Sequence, residues 1–96
     1  MALEYNGPPA YGVDAVGQDA YATVIAAPGT ERRYSNLIAY CLTNDAILTV
    51  DGGTTDSIYV KAGELVTLNN VFINGAVQAK NATGGNNYTG LSITVW

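Results

Sequence analysis

Among side chains that move protons or hold metals, this chain has eight carboxylates, one cysteine at position 41 and no histidine in 96 residues. Imidazole is the group whose charge changes near neutral pH, and it is the commonest transition-metal ligand. Without it, the usual arrangements in which a histidine activates a serine or cysteine nucleophile are excluded. A single thiol also leaves no partner for an internal disulfide or a thiolate-rich metal site. Cys41 sits in the apolar run YCLT and reads as a core residue. Two carboxylates facing each other across a cleft can hydrolyse glycosides. The nearest candidate pair, Asp51 and Asp56, flanks the Gly-rich segment DGGTTD. Asp at such tips bonds the local backbone, so turn chemistry comes first, a weak calcium site second and catalysis last, because the loop lacks the alternating oxygen ligands of a tight calcium site. Gly52-Gly53 and Gly84-Gly85 are not followed by Lys-Ser or Lys-Thr, so no phosphate-cradling loop is present. The expectation is a protein that is not an enzyme and uses no cofactor and no metal.

What remains is an inventory for binding. Seven tyrosines are many for one small domain. Tyrosine is enriched at interfaces and sugar-binding faces, and is also an ordinary strand residue. Tyr5, Tyr11 and Tyr88 lie beside arm or loop sequence and are the tyrosines selected to touch a partner. Pro8 and Pro9 fix two φ angles and remove two backbone donors, which suits an extended docking segment. Arg32 and Arg33 follow Glu31 in a charged triplet that reads as a solvated connection, with a charged surface contact as the alternative. The partner-binding set expected from sequence is therefore Tyr5, Pro8, Pro9, Tyr11, Arg32, Arg33 and Tyr88.

Charge narrows the partners. Net charge is −4 and only 12% of residues are charged, about half the usual ~25%, which suggests that much of the surface is covered. Nothing resembles the basic stripe that a nucleic acid requires. The opening Met-Ala-Leu-Glu carries no positive cluster or apolar signal run, and no stretch nears the ~18 apolar residues of a membrane span, so synthesis in a cytoplasm without membrane association is expected. Asn81-Ala82-Thr83 and Asn87-Tyr88-Thr89 match the glycosylation acceptor pattern but read as loop polarity.

The elements that must carry these residues are strands. Residues 1 to 18 mix Gly, Pro and Tyr with no sustained period and read as an extended N-terminal arm, disordered when free or ordered on assembly. Residues 19 to 96 read as one β-sandwich domain. Short runs rich in Val, Ile, Thr and Tyr, bounded by Gly, Asn, Asp or Pro, are the strand signature: 20–27, 34–43, 47–50, 57–60, 65–68, 71–73, 76–80 and 88–96. In 34–43 both alternating sets are apolar, which places that strand centrally with cover on both sides. Asn74-Gly75 signals a two-residue hairpin between its neighbours. In the last run Leu91, Ile93 and Val95 alternate with Ser92, Thr94 and Trp96, giving one clean core face. Seven or eight strands with no helical period predict an all-β, small antiparallel sandwich of jelly-roll-like or immunoglobulin-like topology.

The stretch from Ile47 onward, with its DGGTT tip, KAGE turn, LVTL strand, AVQAKNAT strand and final aliphatic strand ending in Trp, resembles a family of small bacteriophage virion proteins. The resemblance covers about half the chain, and similar elements occur in head decoration proteins, fibre modules and tail components. It implies a capsid decoration or cement protein on the virion surface. The implied partner is the major capsid protein of the same particle, with the chain itself a homo-oligomer such as a trimer. The alternative is a tail, fibre or carbohydrate-binding adsorption module that uses exposed Tyr or Trp as a stacking platform.

Overall fold

A computed structural model describes residues 3–4, 7–29, 31–50 and 58–96 of the chain. Ten strands are present among them: β1 (Leu3–Glu4), β2 (Ala10–Val16), β3 (Ala22–Ile25), β4 (Arg32–Arg33), β5 (Leu37–Tyr40), β6 (Ala46–Thr49), β7 (Ile58–Val60), β8 (Val66–Leu68), β9 (Val77–Asn81) and β10 (Thr89–Val95). Eight of them form two four-stranded antiparallel sheets in the orders β2-β10-β5-β8 and β3-β9-β6-β7. The chain is an all-β sandwich. The chain alternates between sheets in the way that gives the jelly-roll order rather than the immunoglobulin one.

Period-2 alternation builds the core between the sheets. Leu91, Ile93 and Val95 of β10 are fully buried, as are Leu37 and Ala39 of β5 and Cys41 just beyond it. They face Ala46 and Leu48 of β6, Val60 of β7 and Val77 and Ala79 of β9. Each buried Leu, Ile or Val contributes about 1.5–3 kcal/mol of transfer free energy. A one-residue slip of β10 would turn Ser92 and Thr94 inward, so the pattern fixes the register. Observed pairs are Ser92 with Tyr40 and Thr94 with Ile38 on one side, and Ser92 with Val13 and Thr94 with Tyr11 on the other.

Three expectations are corrected. The arm does not run to residue 18, because Ala10–Val16 is a seven-residue strand paired along β10. Its alternation was hidden because the inward positions are Ala10, Gly12 and Asp14 rather than large apolar residues. Gly12 is buried so tightly that a Cβ there would lie 2.5 Å from the Val24 carbonyl oxygen and 2.8 Å from Ile25 Cγ1. Asn74-Gly75 closes no hairpin: Ile73 bridges Tyr34, whereas β9 pairs with β3 and β6, so the chain crosses there from one sheet to the other. Finally, β5 is central in its sheet, as expected, but its second side is not covered: Ile38 and Tyr40 are half-buried and Leu42 is exposed.

At the start of the chain, β1 pairs in parallel with β4. The hairpin tip 51–57, with Asp51 and Asp56, lies outside the described residues.

Candidate binding surface

The residues that alternate away from the core on the β2-β10-β5-β8 sheet form two rows across all four strands. One row runs Val13, Ser92 and Tyr40, and the β8 register carried one residue before its start adds Leu65; the next runs Tyr11, Thr94, Ile38 and Thr67. Beyond the first row, Leu42 lies across Gly90, where a Cβ would stand 2.6 Å from Leu42 Cδ1. Gly90 also has φ +60°, a conformation other residues adopt at a cost. The strands of this face carry no outward charged side chain. Tyr11 is 67% exposed, Leu65 64%, Leu42 59% and Val13 55%. In a half-exposed antiparallel sheet the outward residues are ordinarily polar. The outward side of the other sheet is mixed: Thr23, Gln78 and Lys80 stand beside Ile47 and the exposed Tyr59, Gln78 Nε2 donates to Thr23 Oγ1 at 3.1 Å, and the Lys80 ammonium sits 4.7 Å from the Tyr21 ring centroid.

The Tyr88 end of the sandwich is polar and internally satisfied. Tyr88 is fully buried. Its hydroxyl donates to Asp14 Oδ2 at 2.6 Å and accepts from Gln18 Nε2 at 3.0 Å, while Gln18 also donates to the Ala79 carbonyl at 2.8 Å. Burial first, then the Asp14 hydrogen bond, push the phenol well above its ordinary range. Asn81 Nδ2 donates to Asp19 Oδ1 and to Asn87 Oδ1, each at 2.8 Å, and Asn81 Oδ1 accepts from the Tyr88 N–H at 3.2 Å. The Gly85 N–H and then Asn81 hold the Asp19 carboxyl below its usual range. Among the described residues no buried side-chain nitrogen or oxygen lacks a hydrogen-bond partner, so this network is structural.

A cavity of about 110 Å³ nearby is lined by Asn44, Asp45, Thr83 and Asn86. Its one carboxylate accepts from the Ala62 N–H at 2.8 Å and from the Tyr59 hydroxyl; these bonds lower the Asp45 pKa in that order, and the bond to Asp45 raises that of Tyr59. No group of three or more His, Cys, Asp or Glu residues among the described ones is placed to hold a metal.

The expected binding residues are dispersed. Pro8 and Pro9 are exposed, and Tyr11 stands on the uncharged face. Arg32 and Arg33 form β4; Arg33 Nη1 donates to Ser35 Oγ at 2.7 Å and its guanidinium lies 5.4 Å from the centroid of exposed Phe72. Tyr5 lies outside the described residues. Tyr88 does not face a partner: Asp14 and Gln18 satisfy its hydroxyl inside the protein and its ring packs against Gly17, whose Cβ would lie 2.6 Å from Tyr88 Cδ2. Sequence reading missed Val13, Ile38, Tyr40, Leu42 and Leu65. The doubly apolar alternation of 37–42 was the available signal, but it was assigned to cover within the molecule. Compared with models of protein families, with curated proteins and with solved structures, the chain matches none.

Proposed function

We propose that this protein is a passive binder that acts in assembly, a bacteriophage virion structural protein of the capsid decoration type. The observation that supports it most is the four-strand face with no outward charge, which carries four large apolar residues more than half exposed. Ser92 and Thr94 of β10 part these residues into two apolar strips on one face, and exposed apolar surface gathered on one face marks an interaction surface. The likeness of residues 47–96 to small virion proteins supplies the setting, and the jelly-roll order is one that capsid and lectin domains share, an analogy of fold alone. On this reading the chain is made in the host cytoplasm and binds the major capsid protein on the head surface. Pro8, Pro9 and the Arg33-Phe72 pair contribute to that contact, and the chain self-associates.

The test is immunogold labelling of particles produced by the genome that encodes the chain. Label over the heads is expected. Particles without label overturn the virion assignment, and label confined to tails replaces decoration with the tail or fibre role.

A further inference from the structure

We infer that the outer face of the β2-β10-β5-β8 sheet docks on the same face of a second copy of this chain, about a two-fold axis parallel to the strands and midway between β10 and β5. This rests on the assembly reading above. Such a rotation preserves height along the strands while it places β10 over the second β5 and β2 over the second β8. Each row then lies on its own reversed copy. Tyr40 comes over Ser92 of the second copy, Ile38 over Thr94 and Tyr11 over Thr67. Large side chains meet small ones at each of these places, the relief that lets stacked sheets interdigitate at about 10 Å. Val13 meets Leu65 at the two rims.

Charge does not bar the same occupant at the face itself. Two copies with net charge −4 each repel, but no charged side chain points outward from these strands, Asp14 of β2 being turned inward to Tyr88, so none has to be desolvated when the faces meet. Stacking through the opposite sheet would bring the outward Lys80 of each copy into the contact. β2 and β10 are seven residues long, β5 four and β8 three, which at about 4.8 Å between strands and about 3.4 Å per residue offers on the order of 340 Å² in projection, before side-chain relief is added. Doubled over two copies this is about 700 Å², below the ~1,000 Å² of a stable specific interface and in the range of a weak, concentration-dependent one. A self-complementary patch closes at two copies, so this face makes a dimer, not the trimer expected from the resemblance.

Analytical ultracentrifugation across a wide concentration series is the test. The unaltered chain should shift from monomer to dimer as concentration rises. Val13→Lys and Leu65→Asp should each weaken the dimer by at least about tenfold, a change of ~1.4 kcal/mol. Combining them should restore it, because Lys at one rim then meets Asp on the second copy. Within one chain these positions are three strands apart, about 14 Å, so rescue cannot be internal. The same spacing serves a second variant free of new charge: Val13→Cys with Leu65→Cys should oxidise to a covalent dimer, since one chain cannot bridge more than ~7 Å between Cα atoms. A monomer at every concentration, a trimer, a double variant no tighter than the single ones, or failure to cross-link overturns the inference. A dimer absent from particles would overturn the virion reading alone, and a labelled monomer this inference alone.

Discussion

Replacing Tyr88 with Phe removes one oxygen from the centre of the polar end and leaves the ring in place. The hydroxyl's bonds to Asp14 at 2.6 Å and from Gln18 at 3.0 Å are lost. Gln18 keeps its bond to the Ala79 carbonyl, so its loss is partial, whereas half-buried Asp14 loses the donor on Oδ2. A hydrogen bond to a charged group is worth about 1.5–3 kcal/mol, so Tyr88→Phe should cost about 2 kcal/mol. For a domain of this size that is a fall in Tm of roughly 8–16 °C, at ~4–8 °C per kcal/mol. The assay is equilibrium unfolding in urea with an unchanged m-value, repeated in an Asp14→Asn background. There the Tyr88→Phe cost should drop by more than half, because the charged acceptor is gone. Were Tyr88 a partner-facing surface residue, the change would stay within about 0.5 kcal/mol, and that result would refute the buried network.

Glycine packing and pH give two further checks. Gly17→Ala should destabilise by about 1–3 kcal/mol, because its Cβ would lie 2.3 Å from Asn81 Oδ1, while Gly84→Ala, with nothing within 4 Å, should be close to neutral in the same unfolding assay. Asp19 and Asp45 have folded pKa values below their unfolded ones, so their contribution is present above about pH 4 and is lost as pH falls through the folded values. Asp19→Asn should flatten that acid limb. The Tyr88 phenol is raised on folding, so the unfolded chain releases its proton first, and stability should fall as pH climbs above about 10. Tyr88→Phe should reduce that alkaline loss in pH-dependent melting curves, leaving the share that the raised Tyr59 contributes.

How far the sequence carries depends on whether a residue's role is set by its near neighbours. Leu91, Ile93 and Val95 are fully buried and were readable as a core face, because period-2 alternation needs only the strand itself. The all-β class followed from several such runs. β2 was not readable, since its inward residues were chosen by what lies across the sandwich: the Val24 backbone leaves room only for Gly12, and Tyr88 calls for a carboxylate at Asp14. Asn74-Gly75 bends the chain, but a turn residue cannot say which strand waits beyond it, and here the partners of β9 are 55 and 31 residues away at Thr23–Gln78 and Leu48–Ala79. The same holds for the binding surface. Alternation marked Ile38, Tyr40 and Leu42 as apolar. Only the sheet order, which puts β5 in an outer layer with no further sheet over it among the described residues, decided that these side chains point outward, because burial is a property of the layers that close over a strand and not of the strand's own residues.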